Sequence, residues 1–107
     1  MSSDDTDRGR VDPEEFEAAG TALEDARARL AAVPAEVVVV NHAMGLYELA
    51  AIHLSSQPPQ LPQASLAIDA LAALVDGLGD RLGDDIVTLR EALATLRMAF
   101  VQVSSTN

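Results

Sequence analysis

The sequence predicts an all-α protein, an antiparallel bundle of three to four helices that homo-oligomerisation completes. Apolar residues recur at steps of three and four in four segments, which is the spacing of one helix face. No segment alternates apolar and polar residues as a strand does, and Pro-rich or Gly-rich links separate the segments. Hydrophobic residues make up 49% of the 107 residues, enough for one core. We therefore expect one helical domain over 12–103, a disordered acidic tail at 1–11 and a polar tail at 104–107.

The first helix is expected over about 13–33. Asp12 can cap its start, Pro13 suits the first helical position, and Glu15 completes a D-x-x-E pattern that resembles a capping box. Two of the six residues in its apolar stripe are alanine and its other faces are charged, so we expect it to dock weakly. The stripe has heptad spacing and consists of Phe16, Ala19, Leu23, Ala26, Leu30 and Val33.

The second helix is expected over about 35–54, within the run VVVVNHAMGLYELAAIHL. Four consecutive valines favour a strand locally, but the run is too long for a typical strand and is rich in helix formers after the valines. A segment that is apolar on nearly every side, in a chain of formal net charge −10, must be covered by other protein. We expect it in the middle of the bundle or against a second copy. Its stripe is Val37, Val40, Met44, Tyr47, Ala51 and Leu54.

The third and fourth helices are expected over about 64–82 and 85–103. A Pro-rich link at 55–63 precedes the third helix, and glycines near its end let the chain reverse before Asp84, a good capping residue for the fourth helix. The third stripe is Ala64, Ile68, Leu71, Val75, Leu78 and Leu82, and the fourth, which has the most regular pattern, is Ile86, Leu89, Leu93, Leu96, Phe100 and Val103.

The excess apolar surface of the second helix and the regular stripe of the fourth predict self-association, with a dimer favoured. A non-enzymatic protein that acts through protein–protein interaction is the function that these patterns favour. The predicted interface consists of Val37, Val40, Met44, Tyr47, Ala51, Leu54, Leu93, Leu96 and Phe100.

Composition and charge indicate a cytoplasmic protein that binds neither membranes nor nucleic acid. The chain has no Cys and begins with an acidic, polar segment unlike a secretory signal. The most apolar helix carries Asn41, His42, Glu48 and His53, each of which is costly in a bilayer. All seven basic residues are arginines scattered along the chain, so no cluster is available for phosphate contacts.

Polar residues of the second helix provide one further alternative, a small-ligand or metal site formed by Glu48, His42 and His53. The two histidines are eleven residues apart, so on one helix they stand ~16 Å apart along the axis. One metal cannot be bound by both, and no Cys or H-E-x-x-H pattern adds a ligand. Glu48 could be a buried carboxylate, but solvent exposure or pairing with Arg90 or Arg97 is the favoured interpretation. We expect no catalytic, cofactor or metal site, and no enzyme.

The end of the fourth helix, Leu96-Arg97-Met98-Ala99-Phe100-Val101, resembles the L-R-M-x-[YF]-V ending of the bacterial domain-of-unknown-function family eighteen-forty-four. The segment 51–54 is similar to the end of that family's first helix, and 66–71 is similar to a shortened form of its L-A-x-x-x-I-D-x-L segment. The resemblance covers roughly 37–103. It departs at Ser55, where the family usually has Gly.

This resemblance implies a short acidic helical protein of an actinobacterial branch, with no activity and no catalytic residues. The family's genes lie beside those of an initiation factor and two large-subunit ribosomal proteins. An acidic adaptor for a basic component of the translation apparatus, either an initiation factor or a ribosomal protein, is therefore the alternative function. Residues 1–33 carry nine acidic and four basic side chains, half of the net charge of −10, and would form its binding surface.

Overall fold

A computed structural model of the chain describes residues 12–106, and every regular element in this range is helical. The all-α class is therefore confirmed for these residues, whereas the predicted disordered tail at 1–11 lies outside them. The helices are α1 (Pro13–Ala32), α2 (Ala35–Ser55), α3 (Leu61–Leu78) and α4 (Asp85–Thr106), with a 3₁₀ helix (Gly79–Leu82) between the last two.

The helix α1 begins as its sequence predicts. The backbone N–H of Glu14 donates to the Asp12 carboxylate at 2.9 Å, and Pro13 occupies the first turn, where its missing N–H has no cost. The helix ends at Ala32, before the extended Val33. No residue of α1 is buried, and this holds for its whole apolar stripe.

By its internal contacts the chain divides into two compact units between Pro34 and Ala35, and the single domain over 12–103 stays a prediction. In the unit that begins at Ala35, the helices α2, α3 and α4 contact one another pairwise and share one core. Helix α3 contributes six of the fifteen core residues, so it is the most completely covered of the three. The core consists of Val40, Ala43, Ala50, Leu54, Ala64, Ala67, Ile68, Leu71, Ala72, Val75, Leu82, Ile86, Leu89, Leu93 and Leu96.

Helix α3 is bounded differently from its prediction. It starts at Leu61, three residues before the expected Ala64, because a proline in its first turn needs no hydrogen-bond partner. It ends at Leu78 instead of continuing to Leu82, because Gly79 adopts a positive φ of 51°. The four residues that follow form the 3₁₀ helix.

The C-terminal end of α4 extends into the segment expected to be a polar tail. The hydroxyls of Ser104 and Ser105 donate to the Val101 carbonyl at 3.1 and 2.7 Å, and the Thr106 hydroxyl donates to the Val103 carbonyl at 3.0 Å. The Thr106 hydroxyl thus satisfies one of the terminal carbonyls of the helix, which ends at Thr106.

Two helical segments among the described residues are long and apolar enough to cross a bilayer, judged by length and composition alone. They are Ala35–Ser55 and Leu61–Leu82, and 22% and 33% of their apolar windows are buried inside the unit. Core helices of soluble proteins pass the same test, so the cytoplasmic location stays a prediction.

Replacing Leu71 by Ala should lower the free energy of unfolding by about 2–5 kcal/mol, because Leu71 is fully buried and its loss leaves a cavity. Leu66→Ala, on the same helix, is the matched control. Leu66 is 69% exposed, so its truncation should change the free energy by less than ~0.5 kcal/mol. Urea unfolding followed by circular dichroism measures both. Equal effects of the two substitutions would contradict the assigned orientation of α3.

Replacing Gly83 by Ala should destabilise the fold by about 1–3 kcal/mol, because its backbone conformation is essentially restricted to glycine. The φ of Gly83 is 73° and its ψ is −152°, and an added Cβ would lie 3.2 Å from the Glu36 carboxylate. Gly77→Ala is the control: its Cβ would meet no atom within 4 Å, so it should stabilise α3 by roughly 0.5–1 kcal/mol. Thermal unfolding of both variants should therefore show shifts of opposite sign.

Candidate interaction site

The structure places the nine predicted interface residues at three depths. Val40, Leu54, Leu93 and Leu96 are buried within the chain's own core. Val37 is exposed. The other four are half-buried at the edge of the core: Met44, Tyr47, Ala51 and Phe100.

The core-facing side of α2 is rotated from the predicted stripe. Ala43 and Ala50, which the stripe omits, are fully buried, whereas Val37, the first stripe residue, is exposed. Because α2 is apolar on nearly every side, hydrophobic spacing alone could not single out the face that packs. The rotation leaves the edge formed by Tyr47 and Ala51 only partly covered.

That edge of α2 forms one wall of an open groove whose other wall is α4. The groove has a volume of about 450 Å³, and no charged side chain lines it. Four of its eight residues belong to the predicted interface, so the structure brings this part of the interface together. The lining residues are Tyr47, Ala51, Leu54, Ser55, Thr95, Leu96, Ala99 and Val103.

Two hydroxyls at the groove are already used as donors within their own helices. The Thr95 hydroxyl donates to the Glu91 carbonyl at 3.0 Å, and the Ser55 hydroxyl donates to the Ala51 carbonyl at 2.7 Å. Their hydrogen atoms therefore do not point towards an incoming group. The groove offers methyl, isobutyl and aromatic surface, which suits apolar side chains of a protein partner better than a polar small molecule.

Four groove residues lie outside the predicted interface: Ser55, Thr95 and Ala99, which no prediction singled out, and Val103, which was predicted only as part of the fourth stripe. The signal on α4 is the spacing of Thr95, Ala99 and Val103 at i, i+4 and i+8, which is a second small-residue row beside the main stripe. Small residues in such a row leave a channel because the α4 wall carries no side chain long enough to fill it. Ser55 carries no comparable signal, since it lies at the very end of α2.

A second, smaller groove lies between α3 and α4. Its volume is about 220 Å³, and Phe100 forms its apolar part. Asp69 and Arg97, both exposed, stand at its edge with opposite charges. This groove could accept a short polar segment, but it offers less apolar surface than the groove between α2 and α4.

The polar residues of α2 do not form a joint site. His42 and Glu48 are exposed and His53 is half-buried. Within residues 12–106 no group of three or more His, Cys, Asp or Glu side chains could hold a metal ion. The exposed position of Glu48 agrees with the favoured interpretation of a solvated carboxylate, and the small-ligand or metal site gains no support.

No family model, curated protein or solved structure matches this chain. The resemblance to family eighteen-forty-four therefore stays a prediction, and the candidate site is defined by its geometry alone.

Proposed function

We propose that this protein is a non-enzymatic helical interaction protein that self-associates, and that the groove between α2 and α4 is its contact surface. One observation carries the proposal: an open groove of about 450 Å³, lined by no charged side chain, borders α2, a helix that is apolar on nearly every side. In this proposal α2, α3 and α4 form an antiparallel bundle, and a second copy completes it by covering the groove.

The charge of the unit argues for an apolar contact between copies. Residues 35–107 carry eight acidic and three basic side chains, so two units repel each other at long range. Self-association then requires a surface without charge, and the groove supplies one. A two-fold arrangement, with the groove of each copy facing the same groove of the other, makes the contact self-complementary and closes the assembly as a dimer.

A cytoplasmic location without membrane contact forms part of this proposal. The exposed side of α2 carries Asn41, His42 and Glu48 among its apolar residues. Such polar side chains are costly against lipid but are compatible with a surface that water and protein share. In this view the apolar character of α2 serves protein contacts on more than one side.

Ala99→Glu should convert the dimer to a monomer, because the new carboxylate would be desolvated inside the covered groove without a partner. Ala94→Glu is the matched control, since Ala94 is exposed on α4 outside the groove. Light scattering after gel filtration at tens of micromolar should give twice the 11.2 kDa chain mass for the natural protein and for Ala94→Glu. Ala99→Glu should elute near 11.2 kDa with its helical circular dichroism retained.

Ala51→Glu tests the other wall of the groove and should have the same effect as Ala99→Glu. A natural protein that is monomeric at tens of micromolar would refute self-association. A dimer that Ala94→Glu disrupts and Ala99→Glu does not would place the contact on the outer face of α4 instead.

The acidic surface of α1 favours the second candidate function, an adaptor for a basic protein of the translation apparatus. Five carboxylates and two guanidinium groups lie on this fully exposed helix. Such a surface attracts basic proteins at low ionic strength. The carboxylates belong to Glu14, Glu15, Glu17, Glu24 and Asp25.

If α1 binds a basic partner, the triple variant Glu14→Gln, Glu15→Gln and Glu17→Gln should weaken co-sedimentation with ribosomes by roughly tenfold, as expected when several charge contacts are lost. Binding of the natural protein should also fall between 50 and 300 mM salt, since salt screens exposed charges over ~6–14 Å in that range. The control variant Asp76→Gln removes one carboxylate of α3 and should bind normally. Salt-independent or absent co-sedimentation would eliminate this candidate.

A further inference from the structure

We propose that α1 pairs side by side, in the antiparallel direction, with α1 of a second copy of this chain. This contact is separate from the groove between α2 and α4 and does not rest on it. It assigns a partner to α1, which buries none of its side chains.

The first observation is the full exposure of an apolar stripe. Phe16, Leu23 and Leu30 are 70%, 57% and 62% exposed. An isolated helix of 20 residues is marginal in water, and Gly20 in its interior weakens it further. A stripe with heptad spacing is the pattern by which two such helices cover each other.

The second observation is that the sizes of the stripe residues match only in the antiparallel direction. If Leu23 faces the partner's Ala26, then Leu30 faces the partner's Ala19 and Phe16 faces Val33 at the end. Every leucine then lies against an alanine, so the layers have similar volumes. In a parallel pair alanine would face alanine and leucine would face leucine, which leaves voids between crowded layers.

The third observation is the charge beside the stripe. Glu15 and Arg29 flank the same edge of it. In the antiparallel arrangement each Glu15 lies beside the partner's Arg29, which forms two opposite-charge pairs per dimer. In a parallel pair Glu15 would lie beside the partner helix's position 20, a glycine, and Arg29 beside its position 34, a proline, so neither charge would meet an opposite one.

One feature opposes the antiparallel pair. Arg27, on the other edge of the stripe, lies beside its own counterpart. Glu24, one turn earlier in the same helix, offsets this repulsion because residues three apart are neighbours on a helix surface. The two attractive Glu15–Arg29 pairs outweigh the single, partly neutralised repulsion between the two Arg27 side chains, so the charges still favour the antiparallel direction.

Disulfide trapping tests the direction directly, because the natural chain has no Cys. Full-length Ala19→Cys, labelled with nitrogen-15, is mixed with unlabelled full-length Leu30→Cys in a glutathione redox buffer. Mass spectrometry then counts the three cross-linked species. In the antiparallel pair positions 19 and 30 face each other, whereas two copies of position 19 stand ~16 Å apart along the axis and cannot be bridged.

We expect the mixed 19–30 species to exceed each of the like pairs by at least tenfold. Chance collision gives a 1:2:1 ratio and a parallel pair gives an excess of like pairs, and either result would overturn the proposal. Ala28→Cys, on the opposite side of α1, should cross-link no more than collision allows. Because all these positions are exposed, the substitutions should leave the unfolding of the 35–107 unit unchanged.

A charge exchange gives an independent readout. Glu15→Arg and Arg29→Glu should each weaken dimerisation roughly fivefold, since each replaces two attractive pairs by two repulsive ones. The double variant should restore the affinity, although within one helix the two residues are too far apart to interact. Sedimentation equilibrium in the Ala99→Glu background measures this weaker contact without the groove, at protein concentrations roughly tenfold above the tens of micromolar at which that variant is a monomer. Failure of the double variant to recover would refute the proposed register, whatever the outcome for the groove.

Discussion

Close packing of α3 against α2 is the contact on which the rest of the 35–107 unit depends. Ala43 and Ala50 on α2 and Ala64 on α3 are fully buried, and their methyl groups let helix backbones approach closely. Leu71 fills the space that remains. None of the chain's three aromatic residues belongs to the buried core, so leucine, isoleucine and valine side chains and alanine methyl groups fill it.

The three packed helices leave part of the unit's apolar surface outside the core. Helix α2 has more apolar residues than α3 and α4 together cover: Val37, Leu49 and Ile52 are exposed, and Tyr47 and Ala51 are half-buried at the groove. On α4 the small side chains of Thr95 and Ala99 stop short of closing the gap. The groove is therefore a direct consequence of the way in which the unit packs. A second copy would add the layer that the unit's own side chains are too short to supply.

Sequence reasoning predicted the parts of this fold in which one helix face is clearly apolar. The stripe of α4 faces the core as predicted from Ile86 to Leu96, because charged residues on its other sides leave no alternative face. The face of α2 could not be predicted, since the valines and alanines on all its sides give no contrast. Only four of the eight groove residues were predicted as interface residues. The hydrophobic spacing that identifies an interface rests on large apolar side chains, so a small residue such as Ala99 does not stand out in it. The start of α3 was missed because prolines indicated a link, although a proline fits a first helical turn.

The two units obtain their stability from different sources. Because of this difference, the helicity of α1 would depend on its association with a second copy. The 35–107 unit has a core of its own, to which α2, α3 and α4 all contribute. Helix α1 has only its cap at Asp12 and its backbone hydrogen bonds, because it buries no side chain. Pairing with a second α1 would supply the missing burial, and mass action then ties the helicity of α1 to protein concentration. Its repeated alanines would keep such a pair weak and reversible, and its outer acidic face would stay available to a basic protein while the stripe is covered.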